Sequence, residues 1–215
     1  MKAISSRLSL VLCSLVIGAA VFAGGSCSEP AVEKRSEQRL DPLLQERRDK
    51  DEAFKGEHSP LPSAERAGFK GLSYYPVDPR FRFSLPLKRH PQPTALKIAT
   101  NTGEMRGALR YGQFEFQVNG QPCVLQAYRM EDMQAQGGAV LFIPFRDATS
   151  GKETYGSGRY LELKENTSGT YVLDFNRAYN PFCAYNSEYS CPIPPSENIL
   201  KVRIEAGEKS YKAGF

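Results

Sequence analysis

From Phe81 onward, apolar side chains recur at every second position, and that period commits a chain to strands with one dry face and one wet face. Phe81, Phe83 and Leu85 alternate with Arg82 and Ser84, and Phe114, Phe116 and Val118 alternate with Glu115 and Gln117. Asn119-Gly120 then suits the two left-handed positions of a tight turn, so the chain is expected to double back into a strand over Cys123–Tyr128. Leu96–Thr100 reads as another strand, and Ala139–Phe145, apolar on both faces, as a central one. Arg159–Glu165 and Thr170–Asn176 read as a second hairpin joined by Asn166-Thr167-Ser168-Gly169. A last strand is expected over Leu200–Ala206, with Leu200, Val202 and Ile204 inward and Lys201, Arg203 and Glu205 outward. Strands this short and this closely spaced predict a mainly β fold, an antiparallel sandwich or partly open barrel.

One helix is expected to pack against it. Asp41 is placed to cap a helix over Pro42–Lys55, with Pro42 at the first helical position and Gly56 just past the end. Its middle, Gln45–Glu52, is entirely polar, so it should pack through its ends, at Leu40, Leu43, Leu44 and Phe54. A short helical turn is predicted near Ala64–Ala67 and an aromatic, proline-rich linker over Gly71–Pro79. There is no sequence repeat and no regular alternation of strands with long helices, which argues against a doubly wound nucleotide-binding fold.

The N-terminus points to export. Lys2 and Arg7 precede an apolar run, Leu8–Phe22, of about fifteen residues, and Ala23, Gly24, Gly25 and Ser26 follow. The run is short of the roughly 20 residues that cross a bilayer as a helix. Residues 1–26 therefore read as a signal peptide. Two cleavage sites compete: Val21-Phe22-Ala23 suits ordinary signal peptidase, and Gly24-Gly25-Ser26-Cys27 resembles a bacterial lipobox, which is preferred here although Gly24 stands where Leu is usual. On that reading Cys27 is lipid-modified and holds the protein to a bilayer, residues 27–40 form a flexible polar tether, and 41–215 form a single β-rich domain. The expected location is the cell envelope; in a Gram-negative cell, Ser28 after the cysteine fits the outer membrane, facing the periplasm.

Of 28 Lys and Arg side chains, Lys2 and Arg7 leave with the leader, so 26 face 24 Asp and Glu, a net of +2. With no basic cluster, nucleic acid is not an expected partner. Of the five cysteines, Cys13 leaves with the leader and Cys27 would carry lipid. In an oxidising compartment the expected disulfide is Cys183–Cys191, with Cys123 reduced inside a strand; three buried free thiols are the alternative.

Two stretches exceed what strand connections need: Arg146–Tyr160, and the long connection from Asp174 through Tyr185 to Cys191-Pro192-Ile193-Pro194-Pro195. The run FRDATSGKETYGSGRYLEL, then LDFNRAYNPFCAY, CPIPPSENIL and IEAGEK, resembles the bacterial family called domain of unknown function 1684. The resemblance runs from about Leu43 to Lys209 in order and spacing. It implies a domain boundary and assigns no residue a role.

Parity places Arg159 on the face of Leu161 and Leu163, and a guanidinium pointed toward a core needs a partner. Asp147 and Asp174 are the expected carboxylates, with Thr149, Tyr155, Asn176, Tyr179, Asn180 and Tyr185 completing the corner. Two outcomes follow from the residues: a structural ion-pair network, or a pocket in which Arg159 receives the anionic group of a small polar ligand. The first function expected is thus a non-catalytic binding domain for such a ligand or for an envelope partner. The rival is a carboxylate-dependent, hydrolase-like enzyme using Asp147 or Asp174, with Tyr155 or Arg159 stabilising charge. His58 and His90 lie far upstream, which disfavours a nucleophile–histidine pair. The spacings that hold zinc or calcium are missing, Thr149-Ser150-Gly151-Lys152 lacks the first glycine of a phosphate loop, and no cofactor or nucleotide is expected.

Overall fold

The computed structural model describes residues 31–135 and 139–211. The leader, Cys27 and the start of the expected tether lie outside the described residues. The chain divides into two units, residues 1–38 and 39–215, and the second carries every described strand.

Seven strands are present among the described residues: β1 (Arg82–Pro86), β2 (Lys88–Ala99), β3 (Met105–Val118), β4 (Gln121–Met130), β5 (Val140–Phe145), β6 (Arg159–Lys164) and β7 (Thr170–Asp174). Five form an antiparallel sheet in the order β2-β3-β4-β5-β6, and β1 pairs antiparallel with β7 in a second sheet. Both sheets are open. The expected turn joins β3 to β4, with Asn119 and Gly120 both at positive φ.

The main core fills the space between the sheets. Phe114, Phe116, Leu125, Leu141, Ile143, Phe145 and Leu161 from the large sheet meet Tyr171, Leu173 and Phe175. Phe175 stands edge-on to Phe145 at 5.2 Å and to Phe83 at 6.1 Å, so one ring welds three segments. A second apolar cluster, built on Ile98, Tyr128, Met130, Phe142 and Tyr160, lies on the opposite face of the five-stranded sheet. That is why β5 is apolar on both sides.

Three expectations need correction. The helix α1 spans Ala31–Lys55, so it reaches back through residues 31–40 of the expected tether, and Pro42 lies inside it rather than at its start. A proline there removes the N–H that the carbonyl of residue 38 would accept, and the division between the two units falls at that point. Leu43 and Phe54 are buried as expected, but the polar middle is not idle. Arg47 donates to the carbonyls of Tyr75 (3.2 Å) and Asn176 (3.0 Å), and Asp51 accepts the Leu72 N–H at 2.9 Å.

The expected hairpin of β6 with β7 does not form. Gly169 turns at positive φ, but its carbonyl accepts the N–H of Leu87, and β7 continues into the small sheet beside β1. Nor is Leu200–Ala206 a strand, although its burial alternates as expected. Its backbone lies along residues 146–148, with Leu200 N–H to Arg146 O (2.8 Å) and Ala148 N–H to Val202 O (2.9 Å), and then its polar groups turn to side chains.

β2 is longer than expected and irregular. Between Arg89 and Thr94 its register against β3 slips, over a stretch that holds Pro91 and Pro93, residues tolerated because β2 is an edge strand.

β4 and β5 are in strand register at a single described pair, Tyr128 with Phe142. Asn198 spans the gap beside it: its Nδ2 donates to Gln126 O (3.0 Å) and Pro144 O (2.7 Å), and its Oδ1 accepts the Gln126 N–H at 2.8 Å. One buried amide thus replaces a rung of the ladder. We predict that Asn198→Ala, which strands three buried backbone groups, costs about 3 kcal/mol in urea denaturation. Loss of less than about 1 kcal/mol would show that water takes over the amide's role.

Candidate functional site

Arg159 is fully buried at the start of β6, opposite Phe145 in the β5–β6 ladder and 5.2 Å from that ring's centroid. Its Nη2 donates to Asp147 Oδ1 (3.3 Å) and Ile204 O (2.9 Å), and its Nη1 to the carbonyls of Ala206 and Glu208. Only Nε lacks an acceptor. Burial pulls the guanidinium pKa down, and the charge and hydrogen bond of Asp147 oppose that pull.

Asp147 is equally occupied. It accepts the Ile204 N–H (2.7 Å), the Thr149 N–H (3.2 Å) and hydroxyl, and the Ser150 hydroxyl (3.3 Å). The acid and the base therefore grip the same C-terminal segment, one through an N–H and the other through three carbonyls. Gly207, at φ +78°, forms the bend that aims the flanking carbonyls of Ala206 and Glu208 inward; a Cβ there would lie 2.6 Å from two other carbonyl oxygens. The clasp engages both Nη groups within the fold.

The other expected residues separate into different networks. Asp174 ends β7, accepts the N–H and Nδ2–H of Asn176, and faces Arg82 at 3.5 Å. Asn176 in turn is bonded to both backbone groups of Asp78. Asn180 and Tyr185 belong to a buried hub at Glu208, whose carboxylate accepts the Asn180 N–H (3.0 Å), the Tyr185 hydroxyl and Lys50 Nζ (2.9 Å). Sequence reasoning missed Glu208, because a lone glutamate in a polar stretch carries no periodic mark of burial. Tyr155 reaches the Cys183 carbonyl and sulfur, and burial pushes its hydroxyl up to about 12.

The open site is on the opposite face of the five-stranded sheet. There the 179–192 connection arches over the second apolar cluster and leaves a cleft of about 350 Å³. Phe142, Tyr160 and Tyr179 form its floor, in edge-to-face pairs of 4.7 and 5.8 Å. Tyr160 and Tyr179 also exchange backbone hydrogen bonds at 2.9 and 3.1 Å, which ties the connection to the free edge of β6. Phe182 and Tyr189, 48% and 36% exposed, form an edge-to-face pair on one rim. The polar margin holds Arg106, bonded to Asp132 (2.8 Å) and to the Ser190 carbonyl (2.7 Å), and Glu162, which accepts the Tyr179 hydroxyl. Of the expected site residues only Tyr179 lines this cleft.

Cys191 lines it too, beside Cys183. The expected disulfide is not formed: Cys123, Cys183 and Cys191 are all free, buried thiols. The Cys191 sulfur accepts the Cys183 N–H at 3.3 Å, so the two meet as a hydrogen-bonded pair rather than a covalent one.

Residues 67–209 match the family described as protein of unknown function DUF1684. The chain belongs to that family. A solved structure of similar fold is an uncharacterized protein of Haloarcula marismortui determined by solution NMR, 36% identical to this chain with a TM-score of 0.61, over 82% of this chain and 97% of that one. No curated protein matches the chain. Within this DUF1684 domain, the match spans both the clasp and the residues around the cleft.

For the clasp, a lysine cannot bridge a carboxylate and three carbonyls from one planar fork. We predict that Arg159→Lys loses about 3 kcal/mol, lowering Tm by roughly 6–12 °C in a chain of this size. Calorimetry within about 1 kcal/mol of the parent would refute the clasp's role.

Proposed function

We propose that this DUF1684 chain is an exported envelope lipoprotein whose folded unit binds a small molecule with a flat apolar body and a polar edge. The observation that carries the binding reading is the aromatic cleft. Its volume falls at the low end of the range for small-molecule sites, and rings with a few convergent polar groups are the usual lining of such sites. Tyr160 and Tyr179 supply ring faces to the ligand's body, and Arg106, Glu162 and Ser190 offer charge and hydrogen bonds to its edge. Exposed aromatics at the mouth, Phe182 and Tyr189, support a docking role.

This reading moves the ligand away from the corner built on Asp147, Arg159 and Asp174. Carboxylate-dependent hydrolysis loses support for the same reason. Asp147 already accepts four donors besides Arg159, and Asp174 caps the turn that follows it and faces Arg82, so both carboxylates are engaged within the fold.

The leader and Cys27 support the envelope part of the proposal, in which the lipid bilayer is the first partner. Radiolabelled fatty acid should enter the wild-type chain and not Cys27→Ala; label retained by the variant would remove the anchor. For the cleft, thermal-shift screening of the mature chain against ring-bearing small molecules should yield hits whose Kd rises two- to tenfold in Phe182→Ala, the loss of about one aromatic contact. Hits indifferent to both Phe182→Ala and Tyr189→Ala would place the ligand elsewhere.

A further inference from the structure

The two thiols at the cleft are not equivalent. Cys183 sits in a short 3-10 helix, Phe182–Ala184, and its backbone N–H points at the Cys191 sulfur, 3.3 Å away. The Cys183 S–H also bonds to that sulfur, and Arg106 lends positive charge from the cleft margin. All three favour the thiolate at Cys191, and its pKa is pulled down to about 7. Cys183 is pushed the other way, by its bond to Cys191 and by burial, and so keeps its proton. The Tyr155 hydroxyl lies 3.7 Å from the Cys183 sulfur. Cys123, in β4, is raised by burial, against a smaller opposing backbone hydrogen bond at Val118, and its S–H donates to the Gln121 carbonyl at 3.6 Å.

A sulfur that accepts a backbone N–H on the wall of a cleft, with a second thiol as its neighbour, is an arrangement suited to disulfide exchange. We propose that Cys191 and Cys183 form a redox-active dithiol that exchanges with small disulfides admitted by the cleft, Cys191 attacking and Cys183 resolving. The site goes beyond the ring-ligand reading and does not rest on it.

The chemistry balances as two displacements. The Cys191 thiolate attacks one sulfur of a low-molecular-weight disulfide; a sulfur–sulfur bond forms to Cys191, the original one breaks, and one thiolate leaves. Cys183 then gives its proton to that leaving thiolate or to water and attacks the Cys191 sulfur, forming the Cys183–Cys191 bond and expelling the second thiolate. The protein is oxidised by two electrons and the small disulfide is reduced to two thiols. The nine-residue segment from Cys183 to Cys191 is thus a reversible staple between the 3-10 helix and the chain that follows it, rather than a permanent one.

The test uses the reduced mature chain and bis(2-hydroxyethyl) disulfide at pH 7, with peptide mapping to separate Cys27 and Cys123 from the pair. Wild-type protein should close to an intramolecular Cys183–Cys191 disulfide, Cys183→Ser should trap a mercaptoethanol adduct on Cys191, and Cys191→Ser should do neither. Iodoacetamide on the native protein, with no substitution, should label Cys191 roughly tenfold faster than Cys123 at pH 7, at a rate that climbs through pH 7 and levels above about 8. An adduct that accumulates on Cys183 alone, a pair that stays reduced, or a Cys191 no faster than Cys123 would each overturn the proposal.

Discussion

The C-terminal segment has no strand partner for much of its length, and a buried ion pair serves in place of one. Asp147 takes the Ile204 N–H, and Arg159 takes the carbonyls of Ile204, Ala206 and Glu208, so the backbone groups that a neighbouring strand would satisfy are met by two side chains. The arrangement works because each charge offsets the other's desolvation while Asp147 and both Nη groups of Arg159 are bonded. Leu200, Val202, Ile204 and Ala206 can then close the main core without a sixth strand beside β6. Glu208, held in place just beyond, gathers Lys50 of α1, Asn180 and Tyr185 around a second buried charge. Asp147 and Arg159 thus fix the segment that supplies part of the core and the hub.

Periodicity made one part of this legible. Parity along β6 alone puts Arg159 on the dry face, and burial in the structure agrees. The same logic misassigned Leu200–Ala206, because alternate burial follows from an extended backbone against a core, whoever supplies the hydrogen bonds. The Asn166–Gly169 turn misled for a related reason: the turn is present, but a turn says how sharply a chain bends and not which strand it meets afterwards. The helix start failed on Pro42, whose preference for a first turn was read as a boundary, whereas the helix accepts the loss of one hydrogen bond and continues.

The cleft could not be read from any window of sequence. Its walls come from β3, β4, β5, β6, the short helix Glu131–Ala135 and the 179–192 connection, residues far apart in sequence that the fold brings together. What the sequence did carry was the excess of tyrosine and phenylalanine in that connection. Those rings divide their labour: Tyr185 turns inward to Glu208 and Phe54, Tyr179 bridges floor and edge, and Phe182 and Tyr189 remain at the rim. Polar residues that looked like a site are bonded to one another and to backbone groups, and aromatic residues that looked like packing surround the open space.

The slip in β2 has a consequence for how these molecules behave in company. An open sheet offers its outer strands to any neighbour able to add another. At β6 that offer is withdrawn by Tyr179, which occupies both backbone groups of Tyr160. At β2, Pro91 and Pro93 withhold two donors and the irregular stretch breaks the register that a visiting strand would have to match. A five-stranded sheet interrupted at both borders gives a crowding neighbour no ready strand to extend.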